Sequence, residues 1–315
     1  MPYNVVFFGT SDFSVPSLRA LLEDARFNVV AVVTKPDAPI GRHQVMTPPP
    51  VKVLAQEHGV KVLQFEKIKT DETFEILHSV QNDNQIDVFV VVSYGKIIPQ
   101  RILDLPKHGC INVHGSLLPR WRGASCVQSA IASGDAKSGV TIMLLDAEMD
   151  HGPIITQTET DIGPDETGGQ LHDRLAELGA ATLPDSLNDF LQGNIKPRDQ
   201  DHAAATTCKI LTRDDGKIDW SKSADEINRL VRAYNPWPGT WTEWDGKRVK
   251  LLKTQTENEE LTSNIDTSNS NGQPFEIEGR LLVKCGNDQL LEILELQPES
   301  KKQMTAKEYL AGHRA

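Results

Sequence analysis

Two short stretches of this chain carry residues whose types and spacing suit acyl-transfer chemistry. Asn112 and His114 stand two apart in the strand-like stretch Ile111–His114, so in an extended strand both side chains project from one face at the strand's end. The loop that follows, Gly115–Pro119, breaks the strand where open α/β sheets bind ligands, outside the carboxyl ends. A second apolar run, Val140–Leu145, leads into three carboxylates, Asp146, Glu148 and Asp150, with His151 beside the last. Three acids so close repel one another unless a cation or a hydrogen-bond donor holds one of them, and a histidine is a natural partner. If Asn112, His114 and one acid converge, an amide, an imidazole and a carboxylate can orient a carbonyl, stabilise a tetrahedral oxyanion and pass a proton from an attacking amine to a leaving group. Plainer readings stay open at this point: a hydrogen-bonded core pair beside a loop, a solvated acidic loop, and competition from His151 for Asp150. No HExxH, no GxSxG and no cysteine adjoins these residues, so such chemistry would use neither a metal nor a side-chain nucleophile. Cys126, the nearest downstream thiol, is expected to pack rather than react.

The elements that must position these groups read as α/β. Strands are expected over Asn4–Phe8, Asn28–Thr34, Val60–Leu63, Asp87–Ser93, Ile111–His114 and Val140–Leu145. Helices are expected after the capping residues Thr10-Ser11-Asp12, over Val51–His58 and Thr70–Val80, and along Leu171–Leu191. Continuous apolar strands alternating with helices imply a doubly wound, mostly parallel sheet covered on both faces. We place this domain at 1–192, a polar linker at 193–207 and a second domain at 208–315. The second domain combines a helix over Ala224–Ala233 with short strands over Thr240–Trp244, Arg248–Lys253, Phe275–Glu278, Leu281–Cys285 and Leu290–Leu296, the pattern of a small OB-like β-barrel. The Thr/Ser/Asn-rich stretch Thr254–Pro274 between them reads as a mobile loop without chemistry.

Composition excludes several classes. The 315 residues carry a net charge of −11, which argues against a nucleic-acid binder held by its overall field; a polyanion would have to meet local basic patches. No apolar run approaches the roughly 20 residues of a membrane span, and no secretory or Arg-rich presequence is seen, so a cytoplasmic protein is expected. Cys110, Cys126, Cys208 and Cys285 lie too far apart for a close-spaced metal motif, and no metal is expected. The turn after the first strand, Gly9-Thr10-Ser11-Asp12-Phe13-Ser14, has one glycine where a dinucleotide-cradling turn needs three, and no Walker motif occurs.

Asn112-x-His114, the SLLP loop (Ser116–Pro119), RWRG (Arg120–Gly123) and MDHGPI (Met149–Ile154) closely resemble the formyltetrahydrofolate-dependent formyltransferases. FFGTSDF (7–13), SYGKIIP (93–99) and the segment 218–241 extend the likeness over nearly the whole chain. The resemblance implies a Rossmann-like formyltransferase domain, 10-formyltetrahydrofolate as cosubstrate, and Asn112, His114 and Asp150 as the catalytic set. By the same likeness Tyr94, Gly95, Lys96, Ile97 and Ile98 form the pterin-side loop. Ser116, Leu117, Leu118 and Pro119 lie beside it, and Asp146 to Met149, including Glu148, form the opposite wall.

The implied acceptor is the α-amino group of initiator methionyl-tRNA, bound by a chain expected to be monomeric and without membrane contact. The resemblance places the polar loop 35–50 at the RNA, with Arg42 its leading residue and Lys35 nearby. Lys247 and Arg248, with Lys250 and Lys253, supply a basic strand region in the second domain, and Lys209 is a weaker candidate because it is displaced by one position from the family's pattern. The rivals are a sugar-nucleotide amine formyltransferase and, from a different class, a nonenzymatic folate- or RNA-binding module. A phosphoribosylglycinamide formyltransferase fits poorly, being a single domain of about 200 residues.

Overall fold

The computed structural model describes residues 1–41, 43–257 and 270–312. The chain divides into two compact units, one of Met1–Cys126, Lys137–Asp161 and His172–Cys208, the other of Val127–Ala136, Ile162–Leu171 and Lys209–Ala315.

The first unit is built on β1 (Tyr3–Gly9), α1 (Ser14–Glu23), β2 (Phe27–Thr34), a small hairpin of β3 (Ala38–Ile40) and β4 (Val45–Thr47), α2 (Pro50–Glu57), β5 (Lys61–Gln64), α3 (Asp71–Asn84), β6 (Val88–Val92), α4 (Gln100–Leu103) and β7 (Cys110–His114). It continues through α5 (Cys126–Ser133), β8 (Lys137–Leu144), β9 (Ile154–Asp161) and α6 (Gly168–Leu191), the two helices contributing residues to both units. Seven strands form one sheet in the order β5-β2-β1-β6-β7-β8-β9. The first five are mutually parallel; β8 runs antiparallel to β7, and β9 antiparallel to β8. Val5–Phe8 and Val88–Val90 are wholly buried, which is why their sequences show no alternation: both faces of the sheet are covered. The strand order reverses between β1 and β6, so the loops after β1, β6 and β7 gather at the crevice where this class of sheet binds ligands.

Three local readings change. Thr10 and Ser11 do not cap α1, whose N-cap is Phe13 without a side-chain bond. Instead Thr10 Oγ1 donates to the Tyr94 carbonyl (3.0 Å), Ser11 Oγ to Ser93 Oγ (2.7 Å) and Ser14 Oγ to the Val92 carbonyl (2.6 Å), stitching the first turn to the end of β6. Within the polar loop 35–50, Ala38–Ile40 pairs with Val45–Thr47, so it contains a hairpin; Arg42 lies outside the described residues. Residues 193–207, read as a linker, are held within the first unit. Ile154 and Arg198 exchange backbone hydrogen bonds (2.7 and 2.9 Å), the Thr206 amide donates to the Pro119 carbonyl and the Arg122 amide to the Thr206 carbonyl. Backbone groups need partners whatever the side chains, and a polar segment found them on a neighbouring loop.

The second unit carries α7 (Ala224–Ala233), β10 (Thr240–Trp244), β11 (Lys247–Thr256), β12 (Pro274–Ile277), β13 (Arg280–Lys284), β14 (Leu290–Pro298), β15 (Met304–Thr305) and α8 (Ala306–Ala311). Its antiparallel ladder runs β10-β11-β14-β13-β12, with β15 on β14. Ile227 and Val231 of α7 pack on Trp244, Val249, Leu251, Val283, Leu291 and Ile293, and a Ser223/Glu226 capping box starts the helix. Thr254–Thr256, expected in a loop, extend β11; residues 258–269 of that stretch lie outside the described residues. No described helix is long and apolar enough to cross a membrane.

Candidate active site

Asn112 and His114 sit on β7, buried and on one face, as their spacing requires. The acid that joins them arrives by an indirect route. β8 runs antiparallel to β7, pairing Leu144 with Ile111 and Thr141 with His114, so the segment after β8 starts at the wrong end of β7. It doubles back: the Leu145 amide donates to the Cys110 carbonyl (2.8 Å), the Leu144 amide to the Pro153 carbonyl (2.9 Å), and the intervening turn carries Asp150 over the face of β7. Asp150 itself has φ +49°, a left-handed conformation uncommon outside glycine.

One carboxylate then ties the cluster together. Asp150 Oδ2 accepts from the Gly123 amide (2.8 Å) and faces His114 Nδ1 at 3.6 Å, while Oδ1 accepts a long hydrogen bond from Asn112 Nδ2 (3.5 Å). His114 Nε2 donates to the Trp121 carbonyl (3.0 Å), and a further hydrogen bond joins its ring to Cys126. Burial, the largest influence on His114, acts to lower its pKa. The facing Cys126 and Asp150, with hydrogen bonds to Cys126 and the Trp121 carbonyl, outweigh it and raise the pKa to about 10. A folded-state pKa above the ordinary value means that the imidazolium's contribution to stability is complete below about pH 6.5 and is lost as pH rises through about 10. In an NMR titration the His114 ring is therefore expected to stay protonated at pH 8 and to titrate at lower pH in Asp150→Asn. A wild-type ring titrating near 6.5 would contradict this charge arrangement.

The other acids are accounted for. His151 does not compete for Asp150; its Nδ1 pairs with Asp146 Oδ2 at 2.7 Å, and its ring stacks on His202 with centroids 4.1 Å apart. Glu148 and Met149 are exposed at the rim.

The loop after β6 is placed beside this cluster in the sheet order, but its side chains behave differently from one another. Tyr94 is buried edge-on to Phe8, so only its backbone can serve a ligand. Lys96 spends its ammonium on the Phe65 and Glu66 carbonyls (2.6 and 2.7 Å) and acts as a brace. Gly95 has φ +71°, and a Cβ there would stand 2.5 Å from Lys35 Nζ. Ile97 is exposed and Ile98 buried. In the SLLP loop Ser116 and Leu118 are also buried: Ser116 Oγ donates to the Arg120 carbonyl (2.6 Å), and the Leu118 amide donates to Thr141 Oγ1 (3.1 Å). Their polar groups are already satisfied, and Leu118 packs on Met143 and Ile154, so these two support the site rather than line it.

In the second unit Lys247 and Arg248 are exposed on β11, and the Arg248 guanidinium lies 3.7 Å from the Trp241 ring centroid. Lys209 is paired with Asp215, which raises its pKa and already compensates its charge.

Sequence reasoning missed Gly123, Cys126, the Trp121 carbonyl and Gln200, all of which touch the cluster or its turn. Gly123 and Trp121 lie inside the RWRG motif and Cys126 was expected only to pack, whereas Gln200 had no local signal.

Two family models match the chain: Formyl transferase over residues 3–187 and Formyl transferase, C-terminal domain, over 210–314. Methionyl-tRNA formyltransferase of Geobacter sulfurreducens is 41% identical over 315 residues, covering 98% of this chain and 94% of that protein. The enzyme of the same name from Desulfotalea psychrophila is 43% identical over 312 residues, covering 98% and 92%. Among solved structures, an N-formyltransferase from Helicobacter canadensis in complex with folinic acid and dTDP-3-aminofucose superposes with a TM-score of 0.67 at 19% identity, covering 93% of this chain and 99% of that one, a likeness of fold.

Proposed function

The chain belongs to the formyl transferase family, and from that premise we propose that it transfers the formyl group of 10-formyltetrahydrofolate to the α-amino group of initiator methionyl-tRNA. The observation that carries the reading is the single carboxylate of Asp150 shared by Asn112, His114 and the Gly123 amide. The amine attacks the formyl carbon and forms a tetrahedral adduct. Asn112 Nδ2, with the hydrogen not given to Asp150, offers a donor to its oxyanion, and the positive charge of the buried His114 ring stabilises it further. Asp150 holds the imidazolium in place and, through water, moves the proton lost by the amine to the folate nitrogen that departs.

The cosubstrate suits the residues around the cluster. A flat heterocycle needs apolar edges and aimed backbone groups, which the reading assigns to exposed Ile97 in the glycine-containing loop and to exposed Met149 in the turn after β8. On the RNA side the reading assigns Arg42, Lys247 and Arg248 to phosphates, with Lys209 a lesser contributor. Initiator tRNA as partner, a monomeric state and a cytoplasmic setting complete it.

The test supplies 10-formyltetrahydrofolate with either charged initiator tRNA or a nucleotide-linked amino sugar. Formyl-methionyl ester is expected with the first and no product with the second; preference for the sugar amine would overturn the reading. If four cations neutralise phosphates, RNA affinity should fall about 100-fold between 50 and 200 mM salt. Charge reversal of Lys247 or Arg248 should flatten that dependence, and an affinity indifferent to salt would count against an RNA substrate.

A further inference from the structure

Gln200 comes from the segment read as a linker, yet it is only 5% exposed and every hydrogen-bonding group of its amide is used. Its Nε2 donates to the Asp150 carbonyl (2.9 Å) and to the Gly152 carbonyl (2.8 Å). Its Oε1 accepts from Arg122 Nε (3.1 Å) and Nη2 (2.8 Å), and Arg122 Nη2 also meets His202 Nδ1 at 2.8 Å. Residues 50 and 78 positions away in sequence are therefore joined through one side chain.

The two ends of this amide grip the two segments that set the position of the Asp150 carboxylate. One end holds the backbone of the left-handed Asp150 turn by donating to two of its carbonyls, one of them buried. The other end holds Arg122, and the next residue, Gly123, donates its amide to Asp150 Oδ2. Few side chains meet this demand. Two donors and a doubly used acceptor in one plane describe a primary amide; Glu lacks the donors, Met lacks every polar group, and Asn is one methylene shorter.

We propose that Gln200 is a positioning residue for formyl transfer, fixing the Asp150 carboxylate against Asn112 and His114 by holding both its turn and the Arg122-Gly123 segment of the loop after β7. The proposal rests on the formyl-transfer reading above for its kinetic consequence. A misplacement of about 1 Å at such a carboxylate costs on the order of 100-fold in rate.

A double-mutant cycle tests it. Single-turnover formyl transfer is measured for wild type, Gln200→Met, Asp150→Asn and the double variant, with the His114 ring titration followed by NMR in each. Gln200→Met is expected to lower the rate about 10- to 100-fold with little change in folate KM. In the Asp150→Asn background the same substitution should cost less than about 2-fold, because the group it positions is already disabled. The His114 titration, which needs no substrate, should move downward in Gln200→Met. Multiplicative losses in the double variant, or an unmoved His114 titration, would overturn the proposal. If Gln200→Met fails to fold, Gln200→Glu keeps the shape and the Arg122 pairing while losing both donors, and the same cycle applies. A wild-type chain without formyl transfer sinks the functional reading alone, since the ring titration still decides whether Gln200 governs Asp150.

Discussion

His114→Ala is expected to lower single-turnover formyl transfer by about 100- to 1000-fold while the fold survives, and Asp150→Asn by a comparable factor. The size follows from what each group does. His114 presents a positive charge from a buried ring, so its removal withdraws about 2.7–4 kcal/mol of oxyanion stabilisation. Asp150→Asn preserves shape but removes the negative charge that faces His114 Nδ1 and accepts the Gly123 amide, so the ring loses its charged partner. The two losses should not multiply, because both act on one imidazolium. Circular dichroism and thermal unfolding separate these chemical losses from unfolding. A His114→Ala enzyme with near-wild-type single-turnover rate would remove the mechanism proposed here.

The second large effect is expected at a residue with no side chain. A Cβ on Gly152 would stand 2.1 Å from the Leu144 carbonyl oxygen and 3.1 Å from its carbon, both backbone atoms of the sheet. No rotamer relieves that contact, so Gly152→Ala has to push the 146–152 turn off β8 at a cost of about 3 kcal/mol. Because Gln200 bonds the Gly152 and Asp150 carbonyls together, the displacement carries Asp150 away from His114. Urea unfolding should show the lost stability, and formyl transfer should drop at least 10-fold under conditions where the variant remains folded. A fully active, equally stable Gly152→Ala would mean that the turn is not held as described.

Much of this arrangement was legible in the residues. β1, β2 and β6 read directly from their uninterrupted apolar runs, and in β7 the two-residue spacing of Asn112 and His114 sufficed to place both on one face. β10 and α7 coincide with their expected spans, Thr240–Trp244 and Ala224–Ala233. Other features had no local signature. β9 (Ile154–Asp161) is buried only at its beginning and alternates polar residues afterwards, as an edge strand does, so it escaped notice. The brace made by Lys96 and the pairing of Lys209 with Asp215 depend on where other loops arrive, and a basic residue in a sequence looks the same whether or not its charge is taken.

By itself, then, the order of residues determined which segments are buried strands, that two polar side chains share a face, and that an acid-rich turn follows the next strand. These are properties of periodicity and composition, which act over a few residues. Only the tertiary structure decided that β8 runs antiparallel, by what path Asp150, which family likeness but not spacing had singled out, reaches His114, and that Gln200 holds the turn in place. Strand direction and the partners of a bent turn are set by contacts between residues 27 to 50 positions apart, such as Gly123 with Asp150 and Gln200 with Asp150. Such contacts form through packing and backbone hydrogen-bond satisfaction across the whole sheet, which no short window of sequence contains.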